Sequence, residues 1–405
     1  RWDGSYVHPL ARIDSRPDNV WARAIVDKFP RSWQSKLLSR WHTQHQTSRY
    51  TGNITLLARV RKLADSGRGG ISPDAGDAEI CAQADLTARD FARRVALVEK
   101  STHWKIEVKG VRCSGRFEVV ERMKRFYVRA LLRARGLLDL WPQVKSLSGA
   151  VRRVLCARWW RRTYRKLHAR TVEASAIGIG LVSKAAGLYA SDDAVKRRSG
   201  QNARNAAVLE SVNAVNDHMQ AYTLADLAAK GTANKAIRRV ELLTRIAGFE
   251  LIAKSLGHVA YMVTPSCPSR FHKCTTRGGR VEENPKYDES TPNEAQASLS
   301  KQWAKCRAAA VRAGIDWYGF RIAEPQHDGT PHWHVLLFLR EDQAGPAGCR
   351  LVSLVRRYFL DNESPHESGA QKHRVDFEKI DWNKGSAVGY VIKYISKNID
   401  GHGVG

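Results

Sequence analysis

The stretch from His332 to Leu339, reading His-Trp-His-Val-Leu-Leu-Phe-Leu, constrains this chain more than any other. A short apolar run behind a Pro/Gly turn predicts a buried strand. Side chains on a strand alternate faces, so His332 and His334 point one way and Trp333 the other. Two imidazoles on one face of a rigid strand offer two legs of a divalent-metal site.

A third leg is needed. Glu324 lies eight residues before His332, at the end of the preceding strand predicted over Trp317 to Ala323. Across a strand–turn–strand arrangement its carboxylate can reach the same face. His327 and Asp328 are rivals, but both sit in the connecting turn, where geometry is less fixed. A His/His/Glu set with open positions suits Mg²⁺ or Mn²⁺ bridging to a phosphate oxygen.

The second chemical feature is the helix expected from about Ser386 to Ile399. At 3.6 residues per turn Tyr390, Lys393, Tyr394 and Lys397 share one face. Val388, Val391, Ile392, Ile395 and Ile399 are expected on the opposite face, anchoring the helix to a sheet and leaving the phenols pointing away from it. A phenol with an ordinary pKa near 10 is a poor nucleophile unless activated. A cation on a phosphodiester, with Lys393 and Lys397 nearby, would lower that pKa and offset charge in the transition state. Two tyrosines one turn apart suggest two sequential attacks on DNA. Each would conserve bond energy as a phosphotyrosine, so no nucleotide cofactor is needed. No GxxxxGK[ST] phosphate loop is present in the sequence.

Charge points to the same partner. The formal net charge is +27. Residues 1–250 hold 46 Lys and Arg against 23 Asp and Glu, whereas residues 251–405 hold 21 against 17. The stretch 112–170 is richest, with 17 basic and 3 acidic residues. Tyr127, Trp141, Trp159, Trp160 and Tyr164 are interleaved there, a mixture that suits a nucleic-acid backbone and stacked bases. Arg161, Arg162, Arg165, Lys166, Arg238, Arg239 and Arg270 are the candidate DNA-binding cations. No apolar run reaches the length of a membrane span, so no membrane partner is expected. Seven scattered cysteines fit free thiols in a reducing cytoplasm. The grouping of Cys267, His272 and Cys274 lacks the paired spacing of a zinc module. The lack of an initiator Met and the Gly-rich end read as a fragment of a longer protein.

The expected organisation is α+β. Residues 1–80 show no clear period and end in a Gly/Pro-rich linker over 64–77; residues 81–255 form a basic, mainly helical DNA-binding region; residues 256–405 form a nuclease domain with a central antiparallel sheet flanked by helices. In that domain the expected strands begin at His258, Trp317, His332 and Arg374. Helices are expected from Thr291 to Ala313 and over 348–360. A long polar loop is expected from Ser266 to Thr291.

His332–Trp333–His334 resembles the signature of the HUH endonucleases, two histidines flanking a bulky hydrophobic residue. More specifically the chain resembles the replication gene A protein family of temperate tailed bacteriophages and prophages. The resemblance rests on Trp159–Arg162, Arg238–Leu242, Thr264–His272, Asn284–Tyr287, Glu324–His334 and Tyr390–Asn398. It implies a site- and strand-specific nickase and strand transferase that starts rolling-circle replication in the bacterial cytoplasm. It implies Tyr390 and Tyr394 as nucleophiles, His332 and His334 as metal ligands and Glu324 as the third. Its implied partners are phage origin DNA, single-stranded or hairpin at the nick, and a host replicative helicase. Thr264–Pro265 departs from the family, which more often has Thr-Leu-Thr; Pro265 removes a ladder donor and is expected to end its strand early.

Two rivals share part of this pattern. A two-tyrosine transposase or plasmid relaxase would use similar site parts on another substrate. A non-catalytic, sequence-specific DNA-binding protein would not need intact His/His/Glu and Tyr/Tyr sets. A phosphoesterase with paired HxT/S motifs lacks its second motif here.

Overall fold

The computed structural model describes residues 17–108, 116–144, 146–183, 186–187, 189–277, 280–363, 366–367 and 369–399. Its aperiodic beginning is helical: α1 (Pro17–Val26), α2 (Arg31–Thr47) and α3 (Arg49–Asp65). Trp33, Leu37 and Trp41 recur every fourth residue on α2 and are buried, as are Leu56 and Val60 of α3. Ser48 starts α3 by accepting the Thr51 amide. The linker expected over 64–77 is the loop leading into α4 (Asp77–Val108).

Then come α5 (Arg116–Ala134), α6 (Leu147–Val154) and α7 (Ala157–Gly178). Their shared core holds Phe91 of α4, Val128 and Leu132 of α5, Val154 of α6, and Trp160 and Tyr164 of α7. Trp160 Nε1 donates to the Val154 carbonyl at 2.7 Å, and the Tyr164 and Thr87 hydroxyls are 3.1 Å apart. These two aromatics of the basic stretch are therefore core. Their four-residue spacing turns both toward α4 and leaves the arginines between them outside.

The described chain divides into two compact units, Arg1–Ile179 and Gly180–Gly405. The second opens with α8 (Asp192–Ser211), the hairpin β1 (Asn213–Val215) and β2 (Ala221–Thr223), and α9 (Leu224–Lys230). Next is α10 (Lys235–Ser255). Its apolar residues serve the sheet that follows: Phe249 packs against Tyr318, Phe320 and Phe338.

That sheet begins with β3 (Val259–Pro265), which runs through Pro265 because the ladder there ends beside Val375. The expected polar loop after it contains a small hairpin, β4 (Cys274–Arg277) with β5 (Arg280–Glu283). Thr291 and Glu294 form a reciprocal cap at the start of α11 (Pro292–Arg312). Then follow β6 (Trp317–Pro325), β7 (Pro331–Leu339), the short α12 (Glu341–Ala344), α13 (Cys349–Arg356) with a π-helical turn over Arg357–Asp361, α14 (Ala370–His373), β8 (Val375–Lys379) and α15 (Ala387–Ile399). The four long strands form one antiparallel sheet in the order β6-β7-β3-β8.

Alternation sorts this sheet into two cores. Trp333, Val335, Leu337 and Leu339 of β7 face α11 and α13, with Leu299, Cys306 and Val355. Leu336 and Phe338 face the other way, packing with Ile246 of α10 and Ala387, Val391 and Ile395 of α15. The histidines of β7 share that second face with the tyrosine helix. No helix among the described residues is long and apolar enough to cross a membrane.

Candidate metal centre beside a tyrosine helix

The β6–β7 register sets Glu324 directly opposite His332, and Ile322 opposite His334. Strand alternation therefore turns Glu324, His332 and His334 onto one face. The connecting turn is closed by Gln326 N–H donating to the Thr330 carbonyl, with Gly329 at φ +83°. Asp328, a rival ligand in sequence, is spent on this turn: one oxygen accepts the Thr330 amide at 3.0 Å and the other lies 2.8 Å from His272 Nδ1. Glu324 is thus the carboxylate that joins the histidines. Cys267 lies against the Pro331 carbonyl, apart from any such cluster.

One ligand atom from each of Glu324, His332 and His334 lies within 4.8 Å of the others. Glu324 Oε2 is 2.9 Å from His334 Nε2 and 3.5 Å from His332 Nε2. Glu324 and His334 are each 6% exposed, so this is a buried polar cluster. His332 Nδ1 is buried with no hydrogen-bond partner among the described residues. Burial first, then the His334 imidazole, bring His332 down to about 4, so it is neutral with a lone pair to offer at neutral pH. Converging imidazole and carboxylate donors fit a divalent cation. Thr264 of β3 adds a hydroxyl 3.4 Å from His334 Nδ1, where it can orient the ring.

The tyrosines do not point away from the sheet. Ala387, Val391 and Ile395 form the buried stripe of α15, while Ile392 is 42% exposed. Tyr390 and Tyr394 flank the stripe and are half-buried. The Tyr394 ring stacks on His334, with centroids 3.6 Å apart and planes 16° from parallel. Tyr390 faces β8, where Glu378 shares the site face because it pairs with Met262. Partial desolvation first, then the carboxylates of Glu378 and Asp381, push the Tyr390 phenol up. This is opposite to the activation expected from the lysines. Lys393 is exposed on the far side of α15; the Lys397 side chain lies outside the described residues. Sequence reading missed Thr264 and Glu378, although the alternation of the last strand already grouped Asp376, Glu378 and Ile380.

The candidate DNA-binding cations differ in availability. Arg161 is bound to Asp85 and Arg165 to Asp77, each through two nitrogens. Arg162 and Lys166, on the same helix, are exposed, as is Arg238 of α10; Arg239 is half-buried. Arg270 pairs with Asp288 at 2.6 Å and lies over the Phe271 ring.

The fold and site define a mixed α+β protein with a two-histidine, one-carboxylate cluster beside a tyrosine helix. The chain belongs to the bacteriophage replication gene A protein family, whose model matches residues 140–402. It is 32% identical over 381 residues to the replication gene A protein of Escherichia phage 186, covering 89% of this chain and 50% of that protein. It is 37% identical over 260 residues to the probable replication protein P12 of Pseudoalteromonas phage PM2, covering 63% and 38%. It is 36% identical over 259 residues to a probable replication endonuclease from a prophage-like region of Shigella boydii, covering 64% and 31%. The chain thus spans half or less of the length of these relatives. No solved structure matches it.

Proposed function

We propose that this chain carries the nicking and rejoining centre of a phage or prophage replication initiator of the HUH type. It would cut one strand at an origin and start rolling-circle replication. The observation that carries this reading is the stack of Tyr394 on His334, which puts a phenol beside the metal-ligand cluster. The replication endonuclease name of the Shigella boydii relative agrees with it.

Glu324, His332 and His334 would hold Mg²⁺ or Mn²⁺, which supplies Lewis-acid polarisation of a phosphate oxygen. Tyr394 is the first nucleophile in this scheme. Its phenolic oxygen bonds to phosphorus, the bond to the 3′ oxygen breaks, the phenol gives up its proton and the departing 3′ oxygen gains one. The product is a 5′-phosphotyrosine and a free 3′-OH. Tyr390, held protonated beside Glu378, is reserved for a second cleavage. Attack by a 3′-OH on either ester then rejoins DNA and restores the phenol. Lys393, exposed on the far side of α15, would contact DNA backbone beyond the cluster. Arg161, Arg162, Arg165 and Lys166 in the first unit, and Arg238, Arg239 and Arg270 in the second, would contact flanking duplex. A host helicase would supply unwinding.

The test is incubation with origin oligonucleotides and Mn²⁺. A denaturation-resistant adduct together with a polymerase-extendable 3′ end supports the reading. Cleavage without an adduct, or with a 3′-linked adduct, refutes it.

A further inference from the structure

β6 is an edge strand, and a cavity of about 580 Å³ wraps around its outer side. Aromatic rings from both sheet faces line it: Trp303 and Trp317 from one, Phe249 and Phe320 from the other. Trp303 and Trp317 stack with centroids 5.6 Å apart and are only partly buried. Gly319, two residues after Trp317 on β6, also lines it; a Cβ there would meet the Leu336 carbonyl oxygen of β7 at 1.9 Å, so the position takes only glycine.

Two cations share this cavity. Arg321 lies over the Trp333 ring at 4.0 Å, and Arg307 is close enough to repel it. Burial first, then Arg307, pull the Arg321 guanidinium down. Neither has a carboxylate within ion-pair distance among the described residues, although paired arginines are common elsewhere in the chain. Two adjacent guanidiniums without a counter-charge, set among aromatic faces, ask for an anionic ligand with flat apolar groups.

We infer that the β6 edge is a groove for single-stranded DNA, with Arg307 and Arg321 on successive phosphates and bases laid against the Trp303–Trp317 and Phe320 rings. This rests on the nicking function proposed above and names where the strand runs. Glu324, three residues beyond Arg321 and roughly 10 Å along an extended strand, sits near the end of β6 on the opposite face from Arg321, so the DNA would pass around the edge from the cations to the cluster. A DNA strand following that edge would be delivered to the metal-ligand cluster. Aromatic stacking with backbone cations tolerates any sequence, so this groove would hold the flank of the nick rather than read it.

The full chain is titrated with a fluorescein-labelled, mixed-sequence single-stranded oligonucleotide in EDTA, across a salt series. EDTA stops cleavage, so the outcome is independent of whether the chain nicks. Arg307→Gln with Arg321→Gln should weaken binding and lower the slope of log affinity against log salt by about 1.4, about 0.7 for each lost phosphate contact. Arg307→Gln alone, at an exposed helix position away from the sheet core, should remove about 0.7 of it. Mn²⁺ affinity and melting temperature of the single variant should match the parent. Unchanged slopes and affinities in a parent-like fold overturn the groove. So does a parent that binds no single strand, or displacement of the oligonucleotide by polyglutamate at equal charge, which would assign the cations to an acidic peptide.

Discussion

The ring of Tyr394 lies 3.6 Å from the imidazole of His334, centroid to centroid and nearly parallel. The stack holds the phenol ring by its face against one of the metal-ligand side chains. Tyr394→Phe should keep the stack, the melting temperature and the Mn²⁺ affinity. Tyr394→Ala should lose about 0.5–1.5 kcal/mol beyond the effect of lost area, because a ring pair is broken. Calorimetry of both variants checks this; equal destabilisation would mean that the phenol oxygen, not the ring, does the holding.

Metal affinity should follow the geometry of the cluster. Removing a ligand in His334→Ala or Glu324→Ala should abolish measurable Mn²⁺ binding in a titration, whereas Thr264→Val should weaken it about tenfold by freeing the imidazole it orients. Asp328→Asn should leave Mn²⁺ affinity near the parent value, since Asp328 serves the turn. A larger loss for Asp328→Asn than for Glu324→Ala would move the site into the turn.

Asp328 gives the chain a pH signature. Burial would raise this carboxyl, but the hydrogen bond and charge of His272, with the Thr330 amide, outweigh it and hold the carboxyl below the usual carboxylate range. Its folded value is below its unfolded value near 4, so its contribution is present above about pH 4 and is lost as pH falls through the folded value. Asp328→Asn should cost about 1–3 kcal/mol at pH 7. The gap to the parent should narrow in urea melts as pH drops below about 4. A constant gap would show that the pair carries no linkage.

Ion pairing separates the basic residues of α7. Arg162→Gln with Lys166→Gln should reduce the salt slope for duplex binding by about 1.8, two phosphate contacts at 0.9 each. Arg161→Gln with Arg165→Gln should change it less, because Asp85 and Asp77 already neutralise those cations. Equal effects from the two pairs would show that DNA displaces the carboxylates.

Sequence made the sheet face legible because a strand's period is two and cannot be mistaken once one apolar run is anchored. His332, His334 and Glu324 followed from that period and one turn. The helix was harder. A face drawn from apolar residues alone put Ile392 in the core and the tyrosines outside, because Tyr394 is both a packing ring and a polar group. Its contact with His334 depends on how α15 is rotated against β7, a tertiary quantity. Trp160 and Tyr164 sit in a basic background that suits base stacking, yet their four-residue stripe turns both into the core. The pairing of Arg161 and Arg165 with acids 76 and 88 residues away has no local signal at all.

The decisive measurement is to map the covalent adduct. Parent, Tyr390→Phe and Tyr394→Phe chains are incubated with a single-turnover amount of origin oligonucleotide and Mn²⁺, and the modified peptide is sequenced by mass spectrometry. Adduct on Tyr394 in the parent, retained in Tyr390→Phe and absent from Tyr394→Phe, is the expected result. An adduct that survives Tyr394→Phe undiminished would contradict the role given to the phenol stacked on His334.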